Sequence, residues 1–241
     1  LNEYHDYITG VDLHTIKTPF SGGSGILPAG LLRPKQALWF GLITFLMAVP
    51  IGIYFVIVKG IYLLPLLIVG AVCILLYTPI ILKVKWPEWS PGVGLGTLPV
   101  LGAYFIQTGF YTIPAIIASI PSGILVHNLL LLNEFPDTEA DMRANKKTSP
   151  ITMGKKKAGV VYSFMTLLVY LWIIGGVVAG QIPLFALIAL LTLPFGIKAI
   201  RGSLKSDDMN KFMPAMANNV LVVLLTQLLL GIGYILARVI M

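Results

Sequence analysis

Residues 36–58 read QALWFGLITFLMAVPIGIYFVIV, a run of 23 residues without a charged side chain. A helix that crosses a bilayer needs about 20 predominantly apolar residues. Four further intervals also lack Asp, Glu, Lys and Arg, and they are 60–82, 89–133, 158–197 and 212–237. The pattern predicts an all-α, multi-pass transmembrane helical bundle.

The two longest intervals are each long enough for a pair of helices. Residues 89–133 contain turn-forming residues near Thr108-Gly109, with Pro114 following, and residues 158–197 contain the sequence Gly180-Gln181-Ile182-Pro183. Glycine and proline of this kind interrupt helices. With one span for each of the three shorter intervals, the chain is predicted to have seven spans.

The composition points to the lipid bilayer as the partner of this chain. Hydrophobic residues make up 57% of the 241 residues and charged residues 11%, against about a quarter charged in a soluble domain. The net charge of +7 would suggest nucleic acid if the basic residues formed a soluble face. They lie between the apolar intervals instead, so no nucleic-acid partner is predicted. A single cysteine, Cys73, excludes a disulfide framework.

The charged residues fall on one side of the predicted bundle. If seven spans alternate, one side carries the segments 1–35, 83–91, 134–157 and 198–211. These segments hold fifteen of the seventeen Lys and Arg residues and all ten Asp and Glu residues. The positive-inside bias makes this side cytoplasmic, so we expect a plasma-membrane protein whose site faces the cytoplasm.

Two acidic segments on that side have matching sequences. Residues 2–6 read Asn-Glu-Tyr-His-Asp and residues 133–137 read Asn-Glu-Phe-Pro-Asp, which suggests an internally duplicated bundle. Asp141 follows Asp137 by four residues, so on a helix both lie on one stripe with Asn133. After the first copy, Asp12 follows Asp6 by six residues.

Stacked carboxylates repel one another unless a cation lies among them. Oxygen ligands together with phosphate oxygens suit Mg²⁺. Cations on the same side also fit a phosphate, since Lys146 and Lys147 follow Asp141, and Lys83 and Lys85 follow the interval 60–82. The alternative is a solvated loop in which carboxylates pair with lysines. Two matching copies on one face favour the ligand site.

At these residues the sequence resembles the UbiA superfamily of intramembrane prenyltransferases over nearly the whole chain. The first aspartate-rich motif of that family is matched by Asn2, Glu3, Asp6 and Asp12, and the second by Asp137 and Asp141. The stretches 77–83 and 144–148 are also similar. The spacing of Gly10-Val11-Asp12 and the run 103–109 resemble the 1,4-dihydroxy-2-naphthoate prenyltransferases of menaquinone synthesis.

The resemblance implies a longer bundle than the one visible. Family members usually have nine helices, and their first motif lies at the end of the second. We therefore expect residues 1–241 to be a single membrane prenyltransferase domain that is truncated at its N-terminus and lacks the first helix and most of the second. Glu3 departs from the family pattern, which usually has Asp at that position.

The resemblance also implies a reaction and a set of site residues. Mg²⁺ as cofactor and the diphosphate of a polyprenyl diphosphate would meet at the two motifs, and an aromatic acceptor would receive the prenyl group. The implied metal ligands are Asp6, Asp12, Asp137 and Asp141, and three of them are also expected to be catalytic, namely Asp6, Asp137 and Asp141. The implied substrate-binding residues are Asn2, Tyr77, Lys83, Asn133, Lys146 and Lys147.

Several alternatives stay open at this point. The acceptor is expected to be 1,4-dihydroxy-2-naphthoate, but 4-hydroxybenzoate, a glyceryl phosphate lipid, haem or a chlorin fit the same chemistry. A transporter is the alternative from another class, although its ionisable groups should lie near the bilayer midplane. His127 and Asn128 either orient the acceptor or pack between helices. The glycine-rich residues 21–25 form either a flexible connection or a lid.

Overall fold

Helices account for most of the computed structural model, which describes residues 1–15 and 17–240. No strand occurs in these residues. Eleven α-helices follow one another along the chain: α1 (Asn2–Ile8), α2 (Val11–His14), α3 (Pro34–Lys59), α4 (Leu64–Leu75), α5 (Trp89–Pro91), α6 (Leu98–Thr108), α7 (Ile113–Arg143), α8 (Ser149–Met153), α9 (Lys155–Val178), α10 (Leu193–Ser203) and α11 (Met209–Ile240). The all-helical prediction is confirmed.

Shorter helical turns extend three of these helices. A 3₁₀ turn, Ile61–Leu63, leads into α4, a π-helical segment, Gly92–Thr97, joins α5 to α6, and a 3₁₀ segment, Leu184–Thr192, leads into α10. A further 3₁₀ turn, Ile81–Lys83, lies in the connection after α4. With these turns included, each of the seven predicted spans corresponds to one apolar helical segment.

Five of these seven segments are long and apolar enough to cross a membrane. They are Pro34–Lys59, Ile113–Arg143, Lys155–Val178, Leu184–Ser203 and Met209–Ile240. The segment Ile61–Leu75 is apolar but shorter. Segment length therefore does not confirm the predicted number of seven crossings, or nine in a longer chain.

The breaks inside the two longest intervals are where the sequence predicts them. Helix α6 ends at Thr108, and Gly109 adopts the left-handed conformation with φ 82° that is typical after a helix end. Helix α7 begins after Thr112, whose side chain accepts a hydrogen bond from the backbone N–H of Ala115, and Pro114 occupies its first turn. In the second interval the positive φ of Gly180, 68°, separates α9 from the next segment.

The buried core lies between the helices of the second half. One cluster joins α7, α9, α11 and the segment Leu184–Thr192 through residues such as Leu125, Ile173 and Val222. A second cluster, which includes Phe135, Tyr162 and Phe212, packs nearer the polar end of the bundle. Helix α3 contributes no buried residue. Its large apolar side chains are exposed and are suited to contact with lipid. A helix also satisfies its backbone hydrogen bonds internally, as the interior of a bilayer requires.

Glycines allow the segment Gly92–Thr97 to approach α7 very closely. A Cβ atom on Gly96 would lie 2.5 Å from the carbonyl oxygen of Ser122 and 2.7 Å from Cα of Gly123. A Cβ atom on Gly92 would lie 2.9 Å from the carbonyl oxygen of Gly123. Small residues at such contacts are typical of helix packing in membranes. The contact holds the segment between α5 and α6 against the middle of α7.

The polar segments meet at one end of the bundle. The backbone N–H of Lys147 donates to the carbonyl oxygen of Leu82 at 2.7 Å, and the side chain of Lys146 reaches Asp6 near the N-terminus. Gly159, in the first turns of α9, lies against the carbonyl oxygen of Ser203. The four polar segments are therefore gathered together, as the alternation of spans predicts.

The close contact at Gly96 yields a test of the packing. We expect Gly96→Ala to lower the free energy of unfolding by about 1–3 kcal/mol, because the added methyl group overpacks a rigid backbone contact. Thermal unfolding in detergent measures the loss. The matched control is Gly102→Ala in α6, where a Cβ atom would meet nothing within 4 Å. Equal unfolding temperatures for the two variants would contradict the contact.

Candidate active site

The two matching acidic segments face a single cavity of about 280 Å³ at the polar end of the bundle. Its walls come from α1, α2, α7, the glycine-rich connection after α2 and the connections that follow α4 and α7. The polar residues that line it are Asn2, Glu3, Asp6, Asp12, Thr15, Ser21, Tyr77, Asn133, Glu134, Asp137, Asp141, Lys146 and Thr148. The cavity thus brings together both copies of the repeated sequence.

Helix α7 supplies the second copy on one continuous stripe. The helix runs without interruption from Ile113 to Arg143, so Asn133, Asp137 and Asp141 project from successive turns and all three line the cavity. The predicted stripe is therefore present in the structure.

Lys146 joins the two copies through ion pairs. Its Nζ atom lies 3.0 Å from Asp6 Oδ1 and 2.8 Å from Asp141 Oδ1. Burial disfavours the Lys146 ammonium, but the carboxylates of Asp141 and Asp6 outweigh this effect and raise the pKa of Lys146. The turn at Asn145, with φ 57°, directs the following lysine back towards α7.

The remaining carboxylates of the cavity exceed the positive charge available to them. Asp12 Oδ2 and Asp137 Oδ1 are buried and have no hydrogen-bond partner among the described residues. Burial, reinforced by the charges of Asp6 and Glu3, raises the pKa of Asp12 to about 6. A cation placed among these groups would favour their ionised forms.

These oxygen atoms suit Mg²⁺, which prefers carboxylate, water and phosphate oxygens. In the described part of the chain no three Asp, Glu, His or Cys side chains converge closely enough to surround an ion by themselves. Mg²⁺ commonly binds through one or two carboxylates while retaining water or substrate phosphate. The donor set therefore fits a metal held jointly with a diphosphate.

Glu3 holds the glycine-rich connection rather than facing the cavity with free oxygens. Its Oε1 accepts from the backbone N–H of Ser24 at 2.8 Å and its Oε2 accepts from the Ser24 hydroxyl at 2.7 Å. Gly23, with φ 65°, leaves only 3.0 Å between a hypothetical Cβ atom and Asp12 Oδ1. Glu3, which stands where the first motif usually has Asp, thus anchors a loop that covers part of the cavity.

The structure separates the predicted substrate-binding residues into two groups. Asn2, Tyr77, Asn133 and Lys146 line the cavity, and Asn2 Nδ2 donates to Asp6 Oδ2 at 3.1 Å. Lys83 and Lys147 are exposed and do not line it. They lie at the same polar end, because the backbone of the segment 146–147 pairs with that of Leu82.

His127 and Asn128 lie in an interhelical network outside the cavity lining. Trp86 Nε1–H donates to His127 Nε2 at 3.1 Å, so Nδ1 carries the proton and donates to Asn128 Oδ1 at 3.2 Å. Asn128 Nδ2 donates in turn to Thr166 Oγ1 at 3.0 Å. This geometry corresponds to the packing alternative for both residues.

Sequence reasoning missed Glu88. This residue is fully buried, and its Oε1 accepts from the backbone N–H of Ser149 at 2.6 Å. Its other carboxyl oxygen, Oε2, is buried and has no hydrogen-bond partner among the described residues. The available signal was a lone acidic residue in the otherwise basic segment 83–91.

Comparison with known proteins identifies the class to which this fold and site belong. The model of the UbiA prenyltransferase family matches residues 1–236. The chain belongs to this family, and it is an integral membrane prenyltransferase. The prediction of an enzyme rather than a transporter is therefore confirmed.

Individual relatives point in the same direction. The chain is 28% identical over 239 residues to the 1,4-dihydroxy-2-naphthoate octaprenyltransferase of Bacillus subtilis, an alignment that covers 98% of this chain and 76% of the relative. It is 26% identical over 246 residues to the protein of the same name from Haemophilus influenzae, with coverage of 96% and 77%.

A third relative, the 2-carboxy-1,4-naphthoquinone phytyltransferase of Synechocystis, is 27% identical over 109 residues, or 45% of this chain and 36% of the relative. No solved structure matches the chain significantly.

The Lys146 ion pairs generate a prediction about stability. We expect Lys146→Met to lower the free energy of unfolding by about 3–5 kcal/mol, because it leaves two buried carboxylates without their counter-charge. The neighbouring exposed residue provides the control variant, Lys147→Met, which should unfold at the wild-type temperature. Thermal unfolding of both variants in detergent without divalent cations distinguishes them. The same unfolding temperature for the two would contradict the bridge.

Proposed function

We propose that this enzyme transfers a polyprenyl group from a polyprenyl diphosphate to 1,4-dihydroxy-2-naphthoate, in a Mg²⁺-dependent step of menaquinone biosynthesis. The observation that carries the proposal is the convergence of two acidic segments and one lysine on a single cavity. The names of the two relatives that align over nearly the whole chain support this choice of acceptor.

Carboxylates of both motifs would hold the metal jointly with the diphosphate, since no three of them among the described residues surround an ion by themselves. Asp6 and Asp12 come from the first acidic segment and its continuation, and Asp137 and Asp141 come from α7. Bound Mg²⁺ would offset the negative charge that develops on the leaving diphosphate. Asp6, Asp137 and Asp141 are the residues on which we expect transfer to depend most.

Neutral and basic side chains of the cavity would bind the diphosphate itself. Lys146 presents its ammonium between the two copies, and Asn2, Tyr77 and Asn133 provide hydrogen-bonding groups on the same walls. Lys146 would stabilise the diphosphate as it leaves, because its charge is already fixed at that position. Lys83 and Lys147, at the same polar end, would attract the diphosphate at longer range.

The isoprenoid chain of the donor requires apolar surroundings. A second cavity, of about 590 Å³, lies between α3, α4 and α6, and its lining is almost entirely apolar. Phe45, Leu67 and Ile106 are among its walls. Such surfaces stabilise a hydrocarbon chain, whereas the diphosphate belongs at the charged end of the bundle.

The reaction that follows is an electrophilic alkylation. The bond between C1 of the prenyl group and its diphosphate oxygen breaks, and the diphosphate leaves with the electron pair. A ring carbon of the acceptor forms the new bond to C1. Aromaticity returns when that carbon loses a proton or, at a carboxylated carbon, carbon dioxide. The chain contributes by orienting both substrates and by keeping water from the electron-poor carbon.

We place the enzyme in the plasma membrane with the cavity at its cytoplasmic face. The polar end carries fifteen of the seventeen Lys and Arg residues, and such residues accumulate on the cytoplasmic side. The family match over residues 1–236 supports the proposal that 1–241 form one membrane prenyltransferase domain.

The metal assignment is tested by single substitutions. Asp137→Ala and Asp6→Ala should each reduce transfer of a labelled prenyl group by at least about 10²-fold, because each removes a charge that the transition state needs. The control is Asp207→Ala, since Asp207 is exposed and lies outside the cavity lining. Undiminished transfer by both cavity variants would contradict the assignment of these residues as metal ligands. Full activity in EDTA would contradict it as well.

The acceptor is tested with a panel of candidate compounds and one labelled prenyl diphosphate. We expect 1,4-dihydroxy-2-naphthoate to yield lipid-soluble labelled product at a higher kcat/KM than 4-hydroxybenzoate, glyceryl phosphate, haem or a chlorin. Extraction into organic solvent and chromatography of the product provide the measurement. A higher kcat/KM for any other member of the panel would overturn the proposed acceptor while leaving the prenyltransferase activity intact.

A further inference from the structure

The carboxyl group of Glu134 has no role in the proposed binding of the metal and the diphosphate. The residue lines the cavity and is only 5% exposed. Neither of its carboxyl oxygens has a hydrogen-bond partner among the described residues. Leaving buried polar atoms without partners is costly, so these oxygens indicate a ligand that brings hydrogen-bond donors to this point of the cavity.

The glutamate at the corresponding position of the first copy does not share these unpartnered carboxyl oxygens. Glu3 stands at the same place in the first copy of the sequence, and both of its oxygens accept hydrogen bonds from Ser24. The carboxyl oxygens of Glu134 have no such partner among the described residues. The two glutamates of the repeat therefore serve different purposes.

Position along α7 separates Glu134 from the charged end of the cavity. At about 1.5 Å per residue, Glu134 lies roughly 10 Å deeper along the helix axis than Asp141. The ammonium of Lys146 pairs with Asp141 and Asp6, and no lysine or arginine forms an ion pair with Glu134 in the described chain. The deeper part of the cavity thus suits a molecule that brings hydrogen-bond donors and apolar faces.

We propose that Glu134 accepts a hydrogen bond from a hydroxyl group of the aromatic acceptor. This inference rests on the proposed function, whose acceptor carries two hydroxyl groups on a flat aromatic system. Leu82 and Leu130 line the same cavity and offer apolar contacts to the ring. A site of this kind rejects analogues that cannot donate the hydrogen bond.

Steady-state kinetics with two substitutions of Glu134 test the contact. Glu134→Leu should raise the KM for 1,4-dihydroxy-2-naphthoate by at least about tenfold, because it leaves the acceptor hydroxyl group without a partner in a buried site. Glu134→Gln should cause a smaller increase, because its amide oxygen still accepts. The KM for the prenyl diphosphate should stay unchanged in both variants.

A matched ligand isolates the hydroxyl group. We expect 1,4-dimethoxy-2-naphthoate, which cannot donate a hydrogen bond, to inhibit wild type and Glu134→Leu with inhibition constants that agree within about twofold. Glu139→Gln, an exposed position on the same helix, should alter neither KM.

The outcomes separate this inference from the proposed function. An unchanged acceptor KM in Glu134→Leu, or an increase confined to the prenyl diphosphate, would overturn the role of Glu134. Equilibrium dialysis of 1,4-dihydroxy-2-naphthoate without donor measures the same contact independently of turnover. Equal binding by wild type and Glu134→Leu there also overturns it, whereas weaker binding by the variant supports it even if no prenyl transfer occurs. Unfolding temperatures of all variants confirm that the comparison is between folded proteins.

Discussion

The ion pairs of Lys146 with Asp6 and Asp141 are the interaction on which the site depends. They connect the two copies of the acidic sequence, which are separated by more than half of the chain. Two buried carboxylates at this distance would repel each other without a cation between them. The positive charge that holds the two copies together therefore lies where the proposed diphosphate would also need positive charge, so under that proposal stability and binding would depend on the same side chain.

The membrane-length helices could be predicted from sequence because the bilayer restricts the possible structures so strongly. Without water, backbone groups must be satisfied within each helix, so charge-free intervals translate directly into helical segments. The breaks followed from local chemistry as well. Gly109 and Gly180 both adopt positive φ, a conformation that favours glycine. The number of membrane crossings depends on segment length, and here the segment Ile61–Leu75 is too short for length alone to decide.

The detailed arrangement of the site could be predicted only in part. The convergence of Asp6, Asp137 and Asp141 follows from topology, which places both motifs at one end of the bundle. The choice between two adjacent lysines does not, because the backbone turn at Asn145 directs Lys146 inwards and leaves Lys147 exposed. Identical glutamates in the two copies also diverge, since only the first has a loop serine within reach. Such partners are set by tertiary packing, which no local pattern encodes.

Helix packing also fixes a buried carboxyl group outside the cavity lining, that of Glu88. This residue immediately precedes α5, and the segment after α5 lies against α7 because Gly92 and Gly96 face Gly123 with no side chain between them. The backbone N–H of Ser149 donates to Glu88 Oε1, so the glycine contact and this hydrogen bond together hold the residue. Because Gly92 and Gly96 have no side chains, the backbones can come close enough for this packing, and a purely steric feature of the bundle therefore determines where a fully buried carboxyl group lies.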